Sequence, residues 1–204
     1  AQGDAYALNA IGMFYQNAYG VDQDFHVAKK WYLKAAEQNN PYALENLGQF
    51  YQYGKGVSQD YNKAFEYYSK SADFGVSAGQ FHLAFMYDEG LGRNRNPVLA
   101  AEWYLKAAEQ GDAVAQNNLG VFYEIGDGVS QSYKKALFWY QKSVNQNYDI
   151  AQENMGIMHY FGQGVTRNYF KALEYFTLSA DQGNSSSQYN LGVMYQNGEG
   201  TYPN

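Results

Sequence analysis

The chain has 204 residues, a formal net charge of −6 and a pI near 5.0. This balance argues against nucleic acid and anionic membrane surfaces as partners, because both select for clustered Lys and Arg. The absence of cysteine excludes disulfides and thiolate metal sites but leaves the compartment open between periplasm, secretion and cytoplasm.

A 36-residue period without insertion or deletion organises the elements in chain order. Ala1-Gln2-Gly3 align with Glu109-Gln110-Gly111, so the chain is expected to open on the tail of a second-type helix, helix B. Asp4 then caps the first helix A, and Asp24 the first helix B, since Asp, Asn and Ser side chains accept from the free N–H groups of a first turn. In the second repeat Asn40 caps, Pro41 takes N1, and Ala43, Leu47 and Tyr51 form an i, i+4 stripe. That pattern predicts helix A over 41–53, a loop over 54–60 and helix B over 61–74. Later N-caps are Asp60, Asn96 (followed by Pro97), Asp112, Ser132, Asn168 and Asn184, while Val76 and Tyr148 break the column. Gly54, Gly90, Gly126, Gly162 and Gly198 end successive A helices, and Gly75, Gly111 and Gly183 end B helices. Residues 198–204 are expected to stop inside an inter-helix loop, and the whole reads as one segment, 1–204, of a longer array.

The columns also specify packing. One reads Ile11, Leu47, Leu83, Leu119, Met155, Leu191, and the next Gly12, Gly48, Ala84, Gly120, Gly156, Gly192. Ala28, Ala64, Ala100, Ala136 and Ala172 precede by three residues Trp31, Tyr67, Trp103, Trp139 and Tyr175. Small residues such as Gly48 and Ala64 are expected to let helix backbones approach. Pairs such as Tyr67/Tyr68 and Trp103/Tyr104 are expected to wedge between hairpins. One hairpin cannot bury its apolar face alone, so the reading is stacked pairs sharing a continuous core.

Ala113-Val-Ala-Gln-Asn-Asn-Leu-Gly-Val-Phe-Tyr123, Lys34-Ala-Ala-Glu-Gln38 and Trp103-Tyr-Leu-Lys-Ala-Ala-Glu-Gln-Gly111 resemble the Sel-1-like repeat family, relatives of the tetratricopeptide repeats, over the whole chain. The resemblance implies an all-α, right-handed α-solenoid of helix–turn–helix repeats, about five pairs plus one terminal helix. It implies protein–protein interaction: an adaptor or scaffold, or alternatively a bacterial immunity or virulence factor that clamps one protein. Cysteine-rich relatives described as penicillin-binding or weakly hydrolytic are a poorer match, because this chain has no Cys.

No catalytic set, metal set or cofactor motif emerges. Gly54-Lys-Gly56, Gly126-Asp-Gly128 and Gly162-Gln-Gly164 recur as helix ends and lack a phosphate-binding context. His159 stands in the column of Tyr15, Tyr51, Tyr87 and Tyr123, which reads as a core substitution. With no run of eighteen apolar residues, no helical membrane insertion is expected. The candidate partner-binding residues lie on helix A. Asn46, His82, Asn118, Asn154 and Asn190 form a near-continuous amide column that could grip an extended peptide backbone or could brace neighbouring helices. Phe81 and Phe85, beside the two arginines of the loop Leu91–Pro97, could anchor a partner or fill a gap near Gly79 and Ala84. Tyr160-Phe161 is a weaker aromatic cluster of the same kind.

Overall fold

A computed structural model describes residues 3–200. The helix-B tail expected at Ala1-Gln2 and the loop expected over 201–204 lie outside those residues. Among the described residues the chain is all-α, with eleven helices. The A helices are α1 (Ala5–Asn17), α3 (Pro41–Tyr53), α5 (Ser77–Glu89), α7 (Ala113–Ile125), α9 (Asp149–Phe161) and α11 (Ser185–Asn197). The B helices are α2 (Phe25–Ala36), α4 (Tyr61–Asp73), α6 (Pro97–Glu109), α8 (Tyr133–Val144) and α10 (Tyr169–Asp181). They form two compact units, the first ending at Ala107 and the second starting at Ala108.

Caps set the helix ends. Asp4, Asp24, Asn40, Asp60, Asp112, Ser132, Asn168 and Asn184 each accept from first-turn backbone N–H groups, whereas Val76 and Tyr148 offer no side-chain cap. Gly54, Gly90, Gly126, Gly162 and Gly198 close the A helices in the left-handed conformation. In α1 the same post falls to Ala18, at φ 59°.

Packing explains the small-residue column differently from the sequence reading. The space at Gly48 is filled by a ring, not by a second backbone: a Cβ there would lie 2.5 Å from Tyr68 Cδ1. Gly12 meets Tyr32, Gly120 meets Tyr140 and Gly156 meets Phe176 in the same way. Each ring is also a wedge between hairpins. Tyr32 meets Phe50 of α3 edge-on at 5.5 Å, and Tyr68 stacks on His82 of α5 at 4.7 Å. Tyr32, Tyr68 and Tyr140 are fully buried, and their hydroxyls donate to Gln16 Oε1 (2.7 Å), Gln52 Oε1 (2.6 Å) and Glu124 Oε2 (2.5 Å). Burial raises the pKa of all three, so they stay protonated donors. Alternating A and B helices thus share cores. In the first unit Leu8, Tyr32, Ala43, Leu47 and Phe50 join α1, α2 and α3; in the second Ala136, Tyr140, Met155 and Met158 join α8 to α9.

Candidate functional site

Within the first unit, Asn46 Nδ2 donates to Asn9 Oδ1 at 3.0 Å, tying α3 to α1. His82 Nε2 lies 3.2 Å from Glu45 Oε1, tying α5 to α3. Both residues therefore reach a partner 37 positions earlier, on the preceding A helix. Phe81 turns towards the B helix, its ring 6.0 Å from that of Tyr104 and 5.2 Å from that of His82. Phe85 lies one turn on, half-buried. The neighbouring arginines brace their own surroundings. Arg95 donates to Asp88 O (2.8 Å) and Oδ1 (3.2 Å), and Arg93 lies over the Phe65 ring at 4.6 Å while donating to Asn62 Oδ1.

Within the second unit, Asn154 Nδ2 donates to Asn117 Oδ1 at 2.9 Å, and Asn117 Nδ2 donates to Asn118 Oδ1 at 3.4 Å. The buried Asn117 joins the two column residues into one chain. Asn190 stands apart, in a cleft between α9 and α11. The geometry thus spends one donor each of Asn46 and Asn154 between helices. Every primary amide has a second donor and a carbonyl with two lone pairs, so capacity for a further partner is left. His159 is buried and stacks on Tyr175 at 5.6 Å, as a residue filling its tyrosine column would.

Residues four before, three after and seven after each column position share its helical face. In the second unit this stripe is apolar on α7 (Val114, Val121, Ile125) and on α9 (Ile150, Ile157, Phe161). Ile125 is 61% exposed, Ile150 41% and Phe161 66%. The sequence signal for this patch was the helical spacing from the amide column, not recurrence down a column: Tyr53, Glu89, Ile125 and Phe161 share a register with no common chemistry. Among the described residues no helix is long and apolar enough to cross a membrane.

The Sel1 repeat family model matches residues 5–40, 41–75, 77–112, 113–148, 149–184 and 185–204, each match opening at or next to the start of an A helix. The chain is similar to a solved protective antigen present in uropathogenic Escherichia coli strains, described as displaying an SLR fold. Identity is 39% over 95% of this chain, with a TM-score of 0.88, and the match spans 42% of that protein. A Sel1 repeat protein from Oxalobacter formigenes is 33% identical over 94% of this chain and 78% of its own, with a TM-score of 0.87. An immunity protein from Pseudomonas aeruginosa is 26% identical over 90% of this chain and 67% of its own, with a TM-score of 0.58. No curated protein matches.

Proposed function

The chain belongs to the Sel1 repeat family, and we propose that it is a non-catalytic protein-interaction scaffold that holds a peptide or protein domain against its A helices. The observation that carries this reading is the exposed stripe of Ile125, Ile150 and Phe161 beside the half-buried amides Asn118 and Asn154. Apolar side chains grouped on a surface favour a partner that removes them from water, at roughly 25 cal/mol per Å² of apolar area buried. The amides supply orientation, their free donors and acceptors meeting a backbone while the aliphatic side chains meet side chains. Within the first unit Asn46 and His82 hold the equivalent helical position, with Phe81 and Phe85 on the same α5 helix; Asn190 lines the cleft of the second unit. Specific clamping of one protein, as the likeness to an immunity protein suggests, is a second reading that uses the same face.

Two measurements test the proposal. A photo-crosslinking residue at position 150, exposed on α9, should capture the partner, and one at Phe138, exposed on α8, should not. Ile125→Ser with Phe161→Ser should abolish capture while changing stability by no more than about 0.5 kcal/mol, as exposed positions do. Crosslinks confined to position 138, or capture unaffected by the double substitution, would place the binding surface on the B helices and overturn the reading.

A further inference from the structure

Cationic side chains are segregated between the two helix types. None of the six A helices carries a Lys or an Arg, yet together they hold Glu45, Asp88, Glu89, Glu124, Asp149 and Glu153. Ten of the lysines lie on B helices; Lys55 and the three arginines lie in loops. The A helices' own side chains thus offer a partner's carboxylates or phosphates no Lys or Arg, while its Lys and Arg would meet carboxylates and amides there.

In the second unit one of those carboxylates stands at a cleft of about 360 Å³ between α9 and α11. Ile157 and the buried Phe176 and Met194 line its depth, and the exposed rings of Phe161 and Tyr189 flank its mouth. Where Tyr140 donates its hydroxyl to Glu124, the fifth repeat has Phe176, which has no hydroxyl to donate. Tyr160, in the register of Glu124, packs beside Phe176 and lines the cleft, and its hydroxyl donates to Glu199 Oε2 at 2.9 Å. Glu153 is oriented on the wall of the cleft by Ser186 Oγ and by Asn184 Nδ2 at 3.1 Å. A carboxylate accepts about four hydrogen bonds, so sites remain for a guanidinium or an ammonium group. The volume is near the lower end of ligand pockets, roughly 300–1,000 Å³, which suits one or two amino-acid side chains.

We propose that this cleft receives a basic segment of a protein partner, with one apolar side chain seated on Ile157, Phe176 and Met194 and a neighbouring Arg or Lys paired with Glu153. Phe161 and Tyr189 add ring faces that attract the same cation. The inference rests on the A-helix face being the binding surface and adds the chemistry of what binds there.

The test is selection from a random dodecapeptide phage library on the whole purified chain, followed by fluorescence anisotropy with the enriched peptide. Enriched sequences should pair an apolar residue with Arg or Lys. Glu153→Gln, which removes the charge and keeps one of the two oxygens that accept from Ser186 and Asn184, should weaken the peptide at least five-fold and flatten its salt dependence. Phe161→Ala and Tyr189→Ala, both at exposed positions, should weaken it with an unchanged helical circular dichroism spectrum. Enrichment of acidic or neutral sequences that still depend on Phe161 and Tyr189 overturns the basic-segment inference and leaves the A-helix reading standing. A peptide unaffected by all three substitutions overturns the cleft inference. A library that yields no binder overturns the cleft as a peptide site, while crosslinking of the partner from position 150 still tests the wider reading independently.

Discussion

Replacing Gly120 by alanine puts a methyl group 2.5 Å from both Cδ1 and Cε1 of Tyr140, where carbon atoms rest at about 3.5–4.0 Å. The ring has nowhere to go. It is fully buried, and its hydroxyl is fixed to Glu124 Oε2. Overpacking of this kind costs about 1–3 kcal/mol, against which alanine gains about 1 kcal/mol over glycine in a helix interior. The net expectation is a loss of up to about 2 kcal/mol, or a few degrees in Tm for a chain of this length. Urea melts followed by circular dichroism measure it. The third repeat carries Ala84 naturally with Tyr104 still buried, so a ring can be resettled where its surroundings are built for it. If Gly120→Ala is neutral or stabilising, the Tyr140 ring is not what fixes glycine in this column.

Ala18 adopts φ 59° where the other A helices end in glycine, so Ala18→Gly should raise stability by up to about 1 kcal/mol in the same melts; a loss would show that the strain is absent. Tyr68→Phe removes the donor to the buried Gln52 Oε1 and should cost about 1–3 kcal/mol, and adding Gln52→Leu should recover part of it because no orphaned acceptor is left. Equal stability of the single and double variants would refute that account. Burial, reinforced by Lys171, lowers the His159 pKa below its usual 6.5. The unfolded chain then takes up the proton first as pH falls, so this contribution is full above about 6.5 and is lost as pH falls through the folded value. His159→Tyr, the residue of the other repeats, should flatten the decline in stability between pH 7 and 5; an unchanged slope would assign that decline to other groups.

Helix boundaries were legible in the sequence because they are set locally. The Asp, Asn and Ser caps bond to N–H groups two or three residues on, and the glycines ending the A helices answer the backbone conformation of a single residue. Periodicity did the rest, since a column of Leu47, Leu83, Leu119 and Met155 can only be a shared buried face, and all four are buried. Tertiary structure decided what spacing along one helix cannot encode. Gly48 is fixed by a ring arriving from Tyr68, twenty positions later in the chain. Asn46 and Asn154 spend a donor on residues 37 positions earlier, so the amide column braces helices whatever else it touches. Phe81 turns towards Tyr104, while Ile125 and Phe161, in a column with no common chemistry, stay exposed. Recurrence marks what every repeat needs for packing. A binding surface is built from residues that differ between repeats, and their exposure depends on neighbours that only the folded chain brings alongside.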